Sequence, residues 1–110
     1  MKKGDIYLIN LSLGVGHEQY GFRPAVLLSK VIAGMVIVIP LTTNLEALRF
    51  PYTLSILGSS INKLEKNSVA LVFQIKSVDK RRINKKIGHL DSQDLAKLEK
   101  TLKDLLGFRK

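Results

Sequence analysis

The sequence contains no cysteine and no tryptophan, and its only histidines, His17 and His89, lie far apart along the chain. The absence of cysteine excludes disulfide bonds, thiolate nucleophiles and cysteine-ligated metal sites. Two separated histidines without a pairing motif give little from which a zinc site could be assembled. We therefore expect no metal and no cofactor.

Long apolar runs are also missing. No segment approaches the roughly 18 uninterrupted apolar residues that a membrane span requires. The apolar stretch that follows the two N-terminal lysines is broken at Asn10, and no cleavage site for a signal peptide follows it. We expect a cytoplasmic protein with no membrane partner. Its 110 residues suit a single domain, 1–110, with one hydrophobic core.

Acidic residues are scarce. Nine Asp and Glu stand against 18 Lys and Arg, so the formal net charge is +9. Between residues 76 and 86 the only acid is Asp79, among the basic residues Lys76, Lys80, Arg81, Arg82, Lys85 and Lys86. Such a cluster favours a polyanionic partner, and nucleic acid before a membrane surface. The alternative is a charged edge that protects a β-sheet from aggregation.

The first two-thirds of the chain has the short, β-branched apolar runs that are typical of strands. We predict strands at 5–11, 25–29, 35–39, 52–57, 68–78 and 83–90, the long one bent near Gln74. Pro40 cannot donate a hydrogen bond to a sheet, so we expect it to end the third strand and leave 41–44 as an exposed turn.

Only the C-terminal end predicts a helix. Leucines recur there at helical spacing, after a capping Asp91 and before Gly107. We expect five leucines on the face of the helix that packs on the core, and Lys97, Lys100 and Lys103 on the solvent-exposed face. Strands followed by one helix predict an α+β, mainly β fold, in which a small, curved β-sheet or partly open barrel packs against the C-terminal α-helix.

The segment 14–25 is the most distinctive part of the chain. Its glycines permit close approach of the backbone to a ligand. Pro24 restricts Arg23 to extended backbone at the start of a strand. A guanidinium held in this way presents forked N–H donors that suit a phosphate. The alternative is an ordinary polar hairpin loop.

Five blocks then match one family in order and spacing: 4–7, 18–24, 40–44, 74–82 and 86–90. Together with the closing leucine helix they resemble the MazF/PemK family of toxin endoribonucleases from toxin–antitoxin modules. The resemblance implies a small SH3-like curved β-barrel, usually assembled as a homodimer. It also implies sequence-selective, metal-independent cleavage of single-stranded RNA and neutralisation by a cognate antitoxin.

The resemblance places Arg23 and Thr42 at the catalytic centre, where both would stabilise the charge on a phosphorane formed by attack of the 2′-hydroxyl. Because arginine stays protonated, Glu18 and His17 remain as alternative acceptors of the 2′-hydroxyl proton. Glu18 also suits the orientation of the Arg23 guanidinium. The other interpretation of Thr42 is a turn residue that satisfies local backbone.

Further RNA contacts are expected from phosphate-binding, base-reading and stacking side chains, namely His17, Gln19, Tyr20, Thr43, Asn44, Gln74, Lys76, Lys80, Arg81 and Arg82. Two other functions remain open. One is a CcdB-like toxin that binds DNA gyrase on the same fold without nuclease activity. The other is a basic RNA-binding module with no activity.

Overall fold

The computed structural model describes residues 1–11 and 21–108. Seven strands precede one helix: β1 (Asp5–Asn10), β2 (Phe22–Leu27), β3 (Met35–Thr42), β4 (Leu54–Ile56), β5 (Ser68–Ala70), β6 (Lys76–Asp79), β7 (Ile83–His89) and α1 (Ser92–Leu106). Short 3₁₀ helices lie at Leu45–Arg49, Val72–Gln74 and Lys80–Arg82. The predictions for His17, Glu18, Gln19 and Tyr20 lie outside the described residues. None of the described helices is long and apolar enough to cross a membrane.

The strands form one antiparallel sheet in the order β4-β5-β3-β2-β1-β7, and β6 also pairs with β3. Strand β3 is central to this arrangement. It pairs with β2 on one side, and on the other side with β6 from Met35 to Val38 and with β5 at Leu41 and Thr42. The described strands do not close into a complete ring of pairs. The prediction of a curved, mainly β fold with a C-terminal helix is confirmed.

Each face of the sheet contributes residues to a buried core. Residues of one parity, including Ile6, Val26 and Ile39, form a core with Leu98 of α1. Residues of the other parity, including Ala25 and Val38, form a second core. Successive strand residues point to opposite faces, so burial on both faces explains why β2 and β3 are almost continuously apolar.

Helix α1 begins and ends where its sequence predicts. The Asp91 carboxylate accepts a hydrogen bond from the Asp94 N–H at 2.8 Å, and Gly107 ends the helix with φ 80°. Leu98 is fully buried, with Leu95, Leu102 and Leu105 packed around it. The expectation for Leu106 is wrong, because it lies about 100° around the helix from Leu105 and is half exposed.

The prediction that Pro40 ends the third strand is also wrong. Strand β3 continues to Thr42, and Leu41 is buried. The Pro40 carbonyl accepts a hydrogen bond from the Leu71 N–H at 3.0 Å. The N and C=O of one strand residue face the same side. The missing N–H of Pro40 therefore faces the place where β3 exchanges β6 for β5, and no ladder donor is needed there.

Several other boundaries differ from the prediction. The strand expected at 52–57 is only β4, since Tyr52 has φ 59° and is not extended. The strand expected at 68–78 divides into β5 and β6 around Val72–Gln74, close to the expected bend. The second strand begins earlier than expected, at Phe22, because its first residues pair with β1. The 3₁₀ helix Leu45–Arg49 was not predicted.

The loop 57–67 is anchored by one buried amide. Asn62 is 2% exposed, and its side-chain oxygen accepts hydrogen bonds from the N–H groups of Ser59 (2.9 Å) and Leu64 (3.0 Å). Its side-chain nitrogen donates to the Leu57 carbonyl at 2.9 Å. A Cβ at Gly88 in β7 would lie 2.4 Å from the Asn62 carbonyl oxygen. Glycine at position 88 therefore lets the loop pack directly on β7.

We predict that Gly88→Ala lowers the free energy of unfolding by about 1–3 kcal/mol, because the added methyl group meets backbone that must shift. Urea denaturation of the purified variant measures this change. Lys85→Ala, at an exposed position of the same strand, is the control and should stay within about 0.5 kcal/mol of the wild type. Equal midpoints for Gly88→Ala and the wild type would contradict the packing argument.

Candidate active site and nucleic-acid interface

Arg23 is the second residue of β2, where it is half buried and pairs with Ile9 of β1. The pairing of β2 with β3 begins only at Ala25, opposite Pro40. Residues 22–24 of β2 therefore pair with β1 on one side and have no ladder with β3 on the other. Pro24 fits this position because its missing N–H leaves no ladder bond unmade. Arg23 is held in extended backbone, as predicted, and lies beside an edge that no strand among the described residues pairs with; we call this the open edge.

Thr42 is the last residue of β3 and is half buried. Continuing the β2–β3 register by two residues from the pair Ala25–Pro40 places Arg23 across from Thr42. Strand alternation directs Arg23 to the face of Ala25, and Thr42 to the face of Val38, which is the same face of the sheet. The two residues flank the point where β3 leaves β2 and turns to β5.

Both side chains keep hydrogen-bonding capacity. The Arg23 guanidinium makes no hydrogen bond or ion pair within the described ranges 1–11 and 21–108. The Thr42 hydroxyl oxygen accepts a hydrogen bond from the Asn44 N–H at 3.2 Å, as expected of a turn threonine. The hydroxyl proton has no acceptor among the residues that the structure describes. Two chain segments thus present a cationic fork and an alcohol donor.

The residues that follow Thr42 have separate roles. The Asn44 side-chain oxygen accepts a hydrogen bond from the Glu46 N–H at 3.1 Å and caps the 3₁₀ helix Leu45–Arg49. Thr43 is exposed and lines a cavity beside Pro24. The side chain of Asn44 is therefore partly committed to local structure, while that of Thr43 faces open space.

Two of the predicted RNA contacts lie along β3. Lys76 of β6 pairs with Val38, so it shares the sheet face of Arg23 and Thr42. Gln74 ends the 3₁₀ helix just before β6 and is half buried. The structure therefore places Lys76 on the face that carries the candidate catalytic pair.

The rest of the basic cluster does not form one patch. The Lys80 N–H donates to the Gly34 carbonyl, at the opposite end of β3 from Thr42. The Arg82 guanidinium instead donates to the Asn10 carbonyl at 3.3 Å, at the end of β1. Lys85 and Lys86 lie in β7, which is the last strand in the sheet order and follows β1. The 3₁₀ helix Lys80–Arg82 thus divides the cluster between different parts of the surface.

Arg81 is paired with Asp79, the last residue of β6, which caps this 3₁₀ helix. Its Nε–H and Nη2–H groups donate to the two carboxylate oxygens of Asp79 at 3.1 and 2.8 Å. These bonds, with a further one from the Arg81 backbone N–H, lower the pKa of Asp79 from its ordinary value of 3.8 to about 2. Asp79 in turn raises the pKa of Arg81. An RNA phosphate would have to compete with this carboxylate for the Arg81 guanidinium.

A cavity of about 490 Å³ lies between the loop 57–67, β7 and the face of β1 and β2 that carries Leu8 and Pro24. We call it the lysine cavity. Its apolar lining comes from Leu8, Pro24, Leu64 and Ile87, and its basic lining from Lys63, Lys66, Lys85 and Lys86. The sequence pattern does not single out Lys63 and Lys66, because they stand singly in a loop and belong to no charge run.

Comparison with known proteins gives one family. Residues 2–106 match the family described as "PemK-like, MazF-like toxin of type II toxin-antitoxin system". The chain is similar to the endoribonuclease EndoA of Bacillus subtilis (strain 168), with 33% identity over 93% of this chain and 90% of the relative. It is also similar to the endoribonuclease MazF of Staphylococcus saprophyticus, with 32% identity over 98% of this chain and 92% of the relative.

Among solved structures, the chain resembles MazF of Deinococcus radiodurans in its crystal form I. The TM-score is 0.77 and the sequence identity is 28%, over 97% of this chain and 96% of that one. The likeness therefore spans the whole sheet and the helix.

We predict that the Asp79 carboxyl titrates with a midpoint near 2, and that Arg81→Gln returns the midpoint toward 3.8. The folded-state pKa is lowered, so this pair contributes stability above about pH 4 and loses it as pH falls toward 2. Carboxyl ¹³C chemical shifts, followed by NMR against pH, measure the midpoint. Arg49→Gln is the control and should leave it unchanged. An equal midpoint in Arg81→Gln and the wild type would disprove the pairing.

Proposed function

The chain belongs to the PemK-like, MazF-like toxin family of type II toxin–antitoxin systems, and from this premise we propose that it is an endoribonuclease that cuts single-stranded RNA. Two relatives that are 33% and 32% identical over most of the chain carry the name endoribonuclease, which supports the activity. The family match and these relatives give no support to a CcdB-like gyrase binder or to an inactive RNA-binding module.

The observation that carries the proposal is the register of Arg23 and Thr42. They come from separate strands, point to the same face and flank the place where β2 and β3 part. A phosphate bound there would accept hydrogen bonds from the guanidinium on one side and from the alcohol on the other. The strand register sets the backbone positions of both residues before the substrate arrives, which lessens the reorganisation needed as negative charge develops.

In the proposed reaction the 2′-hydroxyl of the RNA loses its proton as its oxygen attacks the neighbouring phosphorus. The bond from phosphorus to the 5′-oxygen breaks, and that oxygen takes up a proton. The products are a 2′,3′-cyclic phosphate and a 5′-hydroxyl. Arg23 and Thr42 would hold the non-bridging oxygens of the crowded phosphorane between these two events.

The base that removes the 2′ proton is assigned to Glu18 or His17. Arg23 is a poor base because a guanidinium stays protonated in proteins. The carboxylate of Glu18 suits either removal of the proton or orientation of Arg23, and the imidazole of His17 is a side chain of the type most often used as a general base. Glu18→Gln and His17→Gln would separate the two by their effects on the acid limb of the pH–rate profile.

The proposed substrate and partners follow from charge and family. Lys76 shares the face of the catalytic pair and would contact RNA phosphates, as would Lys80 and Arg82 further along the chain. Gln74 and Thr43 suit hydrogen bonds to bases or phosphates. The family description supports an antitoxin as the neutralising partner. We assign the protein to the cytoplasm, as a homodimer that acts without a metal and with selectivity for RNA sequence.

We predict that Arg23→Ala and Thr42→Val each lower kcat for RNA cleavage about 10²–10³-fold, the usual cost of losing one such donor. Thr42→Ser should keep much of the activity, because the hydroxyl remains. Arg49→Ala and Thr101→Val remove the same groups elsewhere on the surface and should cut RNA at the wild-type rate. Thermal unfolding shows whether each variant is folded. Wild-type rates in both Arg23→Ala and Thr42→Val would refute the site.

A second prediction tests the chemistry. In the presence of a chelator, the purified protein should cut an RNA oligonucleotide and leave a cyclic phosphate that mass spectrometry identifies. A single 2′-deoxy substitution at the cleaved position should abolish cutting, since the attacking oxygen is gone. The same substitution one position away is the control. Cleavage of the deoxy substrate at that position would exclude attack by the 2′-hydroxyl.

A further inference from the structure

The lysine cavity has an apolar floor beside the candidate active site. Leu8 and Pro24 face each other across the β1–β2 pair, next to Arg23 and on the opposite side of the sheet from its side chain. Leu64 and Ile87 complete the floor from the loop 57–67 and from β7. Apolar surface of this kind suits the face of a base or the edge of a ribose.

The rim of the lysine cavity is basic. Lys63, Lys66 and Lys85 are exposed and make no ion pair within the described part of the chain. The fourth lysine, Lys86, lies 3.5 Å from the buried carboxylate of Asp5. Glu65 is the only acid among the described lining residues. Three ammonium groups without an ion pair in the described residues, against one carboxylate, surround an apolar floor, and this arrangement suits a ligand that joins an apolar body to a phosphate.

The wall of the lysine cavity is held in place by the fold. Asn62 binds three backbone groups of the loop 57–67, and Gly88 brings that loop onto β7. The Lys63 backbone has φ 57°, a conformation that a residue with a side chain adopts only when its surroundings impose it. Its N–H donates to the Ser59 carbonyl at 2.8 Å. The lysines of the loop are therefore attached to a fixed backbone.

We propose that the lysine cavity binds a nucleotide of the RNA that flanks the cleaved linkage, with its base or ribose on the floor and its phosphate at the rim. The inference rests on the function proposed above. It adds Lys63, Lys66 and Lys85 to the RNA-binding surface. Thr43 lines the cavity immediately after Thr42, and Pro24 immediately after Arg23, so an RNA chain can pass from the catalytic pair around the open edge of β2.

The test measures binding separately from cleavage. The probe is a mixed-sequence, single-stranded 12-nucleotide RNA with every 2′-hydroxyl methylated, which cannot undergo the proposed reaction. Fluorescence anisotropy gives its Kd at several salt concentrations for the wild type and for a Lys66→Gln, Lys85→Gln double variant. A Lys97→Gln, Lys103→Gln double variant, which removes the same charge from helix α1, is the matched control.

We expect the cavity variant to bind more weakly and to lower the slope of log Kd against log salt concentration by about 0.7, since one phosphate lies at the rim and each phosphate neutralised on a single strand accounts for about 0.7. The helix variant should keep the wild-type slope. With cleavable RNA, the cavity variant should raise KM and leave kcat unchanged, because its lysines do not touch the reacting atoms.

Equal slopes for the wild type and the cavity variant, or equal losses in the cavity and helix variants, would overturn the proposal. A free nucleotide has the same base, ribose and phosphate as a nucleotide of the RNA, and uridine 5′-monophosphate tests whether the cavity binds it instead. If it binds the wild type and not the cavity variant, without displacing the RNA, the cavity takes free nucleotides and the proposal fails. Absence of cleavage by the wild type would refute the nuclease function alone, because the binding test does not depend on it.

Discussion

The exchange of partners by β3 is the constraint on which the rest of the structure depends. This strand pairs with β2 as far as Pro40 and with β6 as far as Val38, and from Leu41 it pairs with β5 instead. Pro40 permits the exchange because it demands no donor at the place where one neighbour gives way to the next. The strands β2 and β3 part at this point, and the parting leaves Arg23 and Thr42 beside an open edge. A fully paired sheet would have used the same edge for hydrogen bonds.

The sequence predicts the fold well where the local signal is strong. Packing leaves the local preference unchanged at three features: the helix cap at Asp91, the helix end at Gly107, and the β-branched runs of β1 and β3. The prediction fails where a residue has an unusual neighbour. Pro40 was expected to end a strand, because the register that makes its missing N–H harmless is a property of three strands together. Tyr52 has a positive φ that shortens β4, and no glycine at this position indicates such a conformation in the sequence.

The candidate site likewise has residues that the sequence identifies and residues that only the fold brings together. Arg23 and Thr42 can be selected by residue type and by resemblance to a family, and the strand register then brings them to one face. The charge run from Lys76 to Lys86 is less informative than it looks, because the chain turns within it. Arg81 is bound to Asp79, while Lys85 faces the lysine cavity together with lysines from a distant loop. Sequence clustering measures proximity along the chain, and RNA responds to proximity in space.

The two sides of the β1–β2 edge are coupled through this geometry. Strand alternation directs Arg23 to one face and Pro24 to the other, so one pair of adjacent residues contributes to both the candidate catalytic pair and the lysine cavity. The wall of the cavity depends on Asn62 and Gly88. Neither residue belongs to the lysine rim or to the candidate catalytic pair. If the proposed RNA contacts are made, a change at either position would alter RNA binding by displacing the lysines of the loop, while leaving Arg23 and Thr42 in register. The proposed mechanism therefore separates binding strength, which depends on how the loop 57–67 is anchored, from chemical rate, which depends on where β3 leaves β2.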